Sequence, residues 1–528
     1  MRSLSSAASL LAATSPAVLP ALAAELGFDA PPLPLDGEAR GALGLDELPI
    51  LKTQVVPGDG ALRALLVECD ALTPLRDAVS IIAERLARRA PHLLWLLVAA
   101  QRGGPGLAIA AWSAERARPR VAALLVDREH VVASDAETLV ALAGISRTPD
   151  ILAHACWLET LGRESLTRRF YRALEHVVSE LARAARGRAT PVERRELALL
   201  HVSRLIFLSF LESKGWLDGE RRFLERTFEQ CMERGGEYHR RVLLPLFFGT
   251  LNTPTSARSR AARAFGRVPF LNGGLFARTP LERRRSDVLF RDDALGLVFG
   301  DLLAPYRFTA HEESTVWSEA AIDPEMLGLA FESLMGESER RTSGAFYTPH
   351  QLVARVTRAA LVQALAGGVV PAHLAECALA GESVDEPAVS ALRERSSTLR
   401  ILDPACGSGA FLVHALEELS ALRSRVGDKR PVAVIRRELL ARSIFGVDVN
   451  PMAVWLCELR LWLSVVIESP ERDPQAVAPL PNLDRHIRVG DSLAGDLWDD
   501  ARPARGGARL ALLRERYARA TGGRKRTL

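Results

Sequence analysis

The stretch ILDPACGSGAFLVHAL, Ile401–Leu416, decides the fold. Its opening residues, ending at Asp403, read as a strand, and AFLVHAL carries apolar residues at helical spacing. Between them Gly407 and Gly409 flank a serine, so the turn bears almost no side chain and its backbone can approach a ligand at the strand's carboxyl end. Both glycines are expected to leave that space to the ligand. A phosphate-binding loop would read GxxxxGK followed by Ser or Thr, and a dinucleotide fingerprint would read GxGxxG; CGSGAF is neither and carries no Lys. Alone, the stretch serves equally well as a tight turn joining strand to helix.

Around it, TLRILD, a helix from Ala410, IFGVDV, a helix through AVWLCELRLWL, and HIRVGD alternate strand with helix. That alternation predicts an α/β fold with a parallel, doubly wound sheet. The second strand ends at Asp448, 45 residues beyond Asp403, where an acid can accept both hydroxyls of a ribose. The third runs into Gly490-Asp491-Ser492, where Asp491 can accept an adenine amino hydrogen. Any one of these acids is most often a surface carboxylate. The ordered set points to an adenosine ligand.

At 528 residues the chain exceeds one ordinary domain, and 48% hydrophobic content predicts globular domains with substantial cores. A formal charge of +4 is too small for this length to argue for a nucleic-acid partner by itself. Six cysteines form no CxxC pair and no His-linked zinc spacing, so reduced thiols, a cytoplasmic setting and no metal centre are expected. Residues 1–24 carry Arg2, an apolar stretch and small residues at the end, as a secretory signal does, but Pro16 and Pro20 interrupt them. No uncharged apolar run elsewhere reaches membrane-spanning length.

Four segments are expected. Residues 1–60 form an N-terminal segment and linker, with DAPPLPLDG exposed; residues 61–148 form a small sheet-containing domain built on ALRALLVEC, HLLWLLVAA, GLAIAAW and VAALLV. Residues 149–322 are mainly helical, Lys214-Gly215 closing the helix that contains LALLHVSRLIFLSFLES, and VPFLNGGLF is a loop. Residues 323–528 form the ligand-binding domain, opening on a helix near Asp323 in DPEMLGLAFESLM.

SGAFYTPHQLV, DPACGSGAFL, GVDVNPMAV and VGDSL resemble, in this order, the cofactor-binding motifs of adenine-N6 DNA methyltransferases from restriction-modification and phage-defence systems, in a gamma-like arrangement. LIFLSFLESKGWL, VPFLNGGLF and LGLAFESLM are similar to segments that precede the core in large enzymes of type IIG and related kinds. The resemblance implies a Rossmann-like class I S-adenosylmethionine-dependent methyltransferase sheet, S-adenosylmethionine as cofactor and DNA as partner. It implies Tyr347, Thr348 and Pro349 at the methionine end, Asp403, Ala405, Gly407 and Gly409 as the cradle, Asp448 on the ribose and Asp491 on the adenine amino group. Cys406, inside the cofactor loop and away from the substrate, is expected to pack rather than to act as a nucleophile.

Such enzymes also need Asn, Asp or Ser followed by Pro-Pro and an aromatic, to accept the hydrogens of an extruded base and stack on its ring. No such motif follows Asp491, so no catalytic residue is assigned. The expectation is the front part of a methyltransferase, truncated or split, its sheet incomplete at the C-terminus. A C-terminal polypeptide would supply the catalytic motif and the target recognition domain. The tail ARLALLRERYARATGGRKR is expected to be a helix with a frayed end. Type IIG enzymes carry a nuclease domain at the N-terminus, whose metal chemistry needs paired acids and a Lys. Asp59 after Pro57, with Glu68 and Asp70, gives only a faint likeness, so residues 61–148 are expected to be degenerate nuclease-like or purely structural. RNA or protein amino-methylation, and a non-catalytic S-adenosylmethionine-binding component of a defence complex, remain alternative readings.

Overall fold

The apolar runs of the N-terminal region form strands. In chain order these are β1 (Leu33–Pro34), β2 (Ile50–Pro57), β3 (Leu62–Cys69), β4 (Leu94–Gln101), β5 (Gly106–Trp112) and β6 (Val121–Asp127). The structure, a computed structural model, describes residues 4–494 apart from 16, 47, 114–118, 148, 163, 272–273, 310–316, 325 and 327–347, and residues 512 and 516 beyond. It divides into two units, Met1–Leu174 with Gly300–Asp323, and Glu175–Phe299 with Pro324–Leu528. The helix expected from Asp323 and the C-terminal tail fall almost wholly outside the described residues.

In the first unit the six strands and β7 (Trp317–Glu319) make one mixed sheet in the order β1 to β7. β3 and β4 are parallel, as are β6 and β7, and the other pairs are antiparallel. Helix α3 (Leu75–Arg89) makes the β3–β4 crossover and covers one face, where Val79, Ile82 and Leu86 pack with Leu65 and Leu97. The other face is covered by α1 (Leu4–Ala12), α2 (Val18–Glu25) and α4 (Asp150–Leu161), with Leu11, Leu22 and Trp157 against Leu66, Leu96 and Ile109. With both faces covered, β4 and β5 are apolar at almost every position instead of alternating. The apolar residues near the N-terminus are thus core, and DAPPLPLDG, expected as a linker, contributes the edge strand β1. Asp59 lies in the turn before β3 and Glu68 near the far end of that strand, roughly 20 Å from its start at strand rise, so those acids share no site.

The second unit is centred on two buried helices. α5 (Pro191–Ser213) starts in a capping box, in which Thr190 Oγ1 accepts from Glu193 N and Glu193 accepts from Thr190 N; it ends at Lys214 with Gly215 at φ 72°. Inside it, Arg204 donates to both carboxylate oxygens of Glu282, at 2.6 and 3.1 Å, and to the carbonyls of Leu275 and Ala277. His201 meets His239, Nε2 to Nε2, at 3.1 Å. α9 (Pro451–Ile467) is apolar apart from Glu458, Arg460 and Ser464, and from Ala453 onward every residue except Trp455 is buried. The Asn450 side chain caps its start by accepting from Met452 N and Ala453 N. At its end Lys214 Nζ donates to the carbonyls of Ile467 (2.6 Å) and Ser469 (3.3 Å), and Trp216 Nε1 donates to the Glu471 carbonyl.

Against α9 lie three parallel strands, β8 (Ile401–Asp403), β9 (Ile444–Asp448) and β10 (Ile487–Val489), in the order β10-β9-β8. α7 (Ala410–Arg425) and α8 (Val432–Arg442) connect β8 to β9, and α9 connects β9 to β10. α6 (His350–Leu365) packs on α7. Among the described residues this sheet has the three parallel strands read at TLRILD, IFGVDV and HIRVGD, and Leu402 on its β8 edge is 62% exposed.

Candidate functional site

The three parallel strands end side by side, and each end is tied to the glycine loop after β8. Asp403 Oδ1 accepts from Ala405 N at 3.1 Å. Cys406 N donates to Val447 O at 2.9 Å, stitching the loop to β9. Asp448 Oδ2 accepts from Gly407 N at 2.8 Å, and its Oδ1 accepts from Asn450 N at 2.9 Å. From β10, Ser492 Oγ donates to Pro404 O at 2.8 Å, and Gly490 N donates to Asp448 O. Asp491 is exposed and accepts from Leu493 N.

The two glycines differ. Both have positive φ, 53° at Gly407 and 87° at Gly409, a region that favours glycine. Among the described residues a Cβ on Gly407 would meet nothing within 4 Å, whereas one on Gly409 would lie 2.6 Å from Cys457 Sγ. Gly407 therefore fits the expected open cradle. The space at Gly409 is taken by α9, so close helix packing demands that glycine, contrary to the expectation that it leaves room for a ligand.

Asp403 Oδ2 is buried and has no hydrogen-bond partner among the described residues. Burial, helped by the Asp448 carboxylate, pushes the Asp403 pKa up, against the Ala405 N–H that lowers it. Cys406 of the loop and Cys457 of α9, beneath it, are buried free thiols. A hydrogen bond with the Cys406 thiol and burial hold Cys457 well above the usual thiol range, so that pair is suited to packing.

Thr348 and Pro349 immediately precede α6, whose first residue, His350, stacks edge-on with His414 of α7 at 5.6 Å between ring centres. That contact brings the start of α6 beside the first turns of the helix that the loop opens. Tyr347 lies outside the described residues. Sequence reasoning missed Ser492 and Arg460, the latter donating from α9 to Ser408 O at 3.2 Å. A single Arg inside the apolar run WLCELRLWL was the signal available for it. No group of three or more metal-ligating side chains gathers among the described residues, and none of their helices is long and apolar enough to cross a membrane.

Residues 380–510 match the family described as MmeI, DNA-methyltransferase domain. A putative type II restriction enzyme and methyltransferase of Methanocaldococcus jannaschii, RM.MjaORFECS2P, is 28% identical over 341 residues, covering 58% of this chain and 28% of its own length. The adenine-specific methyltransferase PglX of Streptomyces coelicolor is 34% identical over 99 residues, 18% of this chain and 8% of its own. Among solved structures, the type IIL restriction-modification enzyme MmeI in complex with DNA aligns at a TM-score of 0.41 and 20% identity, covering 62% of this chain and 40% of that one. The chain spans less than a third of the length of these two curated relatives. It is similar to DNA methyltransferases of restriction-modification systems, as its motifs indicate.

Proposed function

We propose that this chain, a relative of restriction-modification DNA methyltransferases, supplies the S-adenosylmethionine-binding part of an adenine-N6 DNA methyltransferase, on a Rossmann-like class I sheet, in a cytoplasmic restriction-modification or phage-defence system. The observation that carries the reading is the set of three strand ends tied to one loop, with, among the described residues, a buried Asp403 oxygen that has no partner and open space at Gly407. Those two features fit the cofactor. A carboxylate oxygen without a partner suits the ammonium of its methionine part, and the bare Gly407 backbone permits close approach.

In this reading Asp403 takes the ammonium, with Ala405 in the same turn and Gly409 holding the turn against α9. Asp448, whose oxygens each keep a lone pair beyond their backbone bonds, takes the ribose hydroxyls, and Asp491 takes the adenine amino group. Tyr347, Thr348 and Pro349 border the methionine end. The bound cofactor supplies an electrophilic methyl group on its sulfonium. The chain's own residues hold that group in one orientation, and positioning is the main source of rate in a direct transfer.

The acceptor loop for an extruded adenine is not among the 528 residues, and we assign it, with target recognition, to further polypeptide, covalently continuous or separate. A non-catalytic S-adenosylmethionine-binding component of a defence complex is favoured by the same missing motif. The test is calorimetric S-adenosylmethionine binding, followed by tritiated methyl transfer to DNA with and without a polypeptide carrying Asn-Pro-Pro-Tyr, and nucleoside analysis. Binding by the chain, with N6-methyladenine formed only on addition, is expected. Absence of binding overturns the cofactor reading, and binding without transfer under any addition favours the non-catalytic role.

A further inference from the structure

We propose that Arg460 is a positioning residue for the cofactor loop, holding Ser408 from below so that Gly407 and Gly409 keep the conformation that admits a ligand; the inference rests on the cofactor reading above. Arg460 lies in the middle of α9 and is only 3% exposed. A guanidinium is retained in so apolar a helix when its donors are used, and Arg460 Nη1 donates to the carbonyl of Ser408 at 3.2 Å, 52 residues away in sequence.

The other anchors of the loop come from elsewhere. Ser492 holds the Pro404 carbonyl, Asp403 the Ala405 N–H, Val447 the Cys406 N–H and Asp448 the Gly407 N–H, all from the ends of β8, β9 and β10. These contacts fix the first half of the loop. The second half, Ser408 and Gly409, rests on α9: Cys457 fills the space beneath Gly409, and Arg460, three residues on and so on the same face of the helix, reaches Ser408. The turn is also closed by Gly409 N donating to the Cys406 carbonyl at 2.8 Å; without the guanidinium the Ser408 carbonyl loses its bond from α9, and the left-handed turn at Gly407 and Gly409 is held less firmly.

Arg460→Met keeps the length of the stem and removes every donor, whereas Arg460→Lys keeps a charge and a donor but lacks the fork. Two measurements on the full chain decide the matter. One is calorimetric affinity for S-adenosylmethionine. The other is deuterium exchange, without ligand, of residues 404–412 against residues 451–467. In Arg460→Met, affinity should fall about ten- to a hundredfold, as for loss of a charge-assisted hydrogen bond, and residues 404–412 should exchange faster while 451–467 stay as in the wild type. Arg460→Lys should fall between the two in both measurements, and it alone decides if Arg460→Met does not fold. Wild-type loop exchange in the variants, or loosening of helix and loop together, overturns the proposal, the latter because Arg460 would then be packing α9. If the wild type itself binds no S-adenosylmethionine, the cofactor reading falls, and the exchange measured without ligand still shows whether Arg460 holds the loop.

Discussion

At Asp403 the raised pKa makes a stability statement with a definite sign. The unfolded carboxyl titrates near pH 3.9, and burial makes the folded form hold its proton to higher pH, so stability falls as pH rises through that window and the deficit persists at neutral pH. Asp403→Asn removes the buried charge. We expect a higher thermal midpoint than wild type at pH 7.5, convergence of the two near pH 4, and loss of S-adenosylmethionine affinity; unchanged midpoints with unchanged affinity would remove Asp403 from the ammonium role. The two glycines give a second contrast. Gly409→Ala sets a Cβ 2.6 Å from Cys457 Sγ and should lower the thermal midpoint, whereas Gly407→Ala adds a Cβ in open space at positive φ, costing roughly 1–2 kcal/mol, and should chiefly weaken ligand binding. Denaturation and calorimetry on both variants separate packing from cradle. GSG announced a turn that needs glycine, but the sequence held no trace of which side each missing Cβ faces, because Cys457 arrives from a helix 48 residues later.

Between elements, the buried histidine pair joins α5 to the π-helical turn His239–Leu243. The bonds suit two neutral rings: Phe290 N donates to His239 Nδ1, His239 Nε2–H can donate to His201 Nε2, and His201 Nδ1–H to the Leu197 carbonyl. Burial lowers the His201 pKa to about 4 and places His239 well below the usual range. A depressed folded pKa means stability that is present above the unfolded value, near 6.5, and lost as pH falls through the folded one. The denaturation free energy of the second unit should therefore decline from pH 7 to pH 4.5, and His201→Gln with His239→Gln should flatten that slope. An equally steep slope in the double variant would assign the acid sensitivity elsewhere. Lys214 joins elements in another way, by donating to the last carbonyls of α9, and Lys214→Met should cost roughly 1.5–3 kcal/mol in urea denaturation followed by tryptophan emission. An unchanged midpoint would show that the end of α9 is held without Lys214, Arg436 still donating to the Ser464 carbonyl in its last turn.

For the molecule as a whole, legibility followed sequence distance. The strands at LLVEC, LLVAA, AIAAW and ALLV, the loop after Asp403 and the acids closing β9 and β10 were readable because periodicity and turn chemistry are local. What escaped was set by partners far along the chain: β7, which joins the first sheet beside β6 from nearly two hundred residues later; Lys214 on α9; and Arg460 under the loop. The grip of Lys214 and Trp216 on the end of α9 also bears on descent. The segment shared with the methyltransferase family, residues 380–510, is not self-contained: Arg436 within it donates to the Ser464 carbonyl in the last turn of α9, but the carbonyls of Ile467, Ser469 and Glu471 are held by Lys214 and Trp216 from outside it. Descent by exchange of segments should therefore favour moving residues 190–216 together with it, and a hybrid carrying both pieces should show a higher thermal midpoint than one carrying residues 380–510 alone.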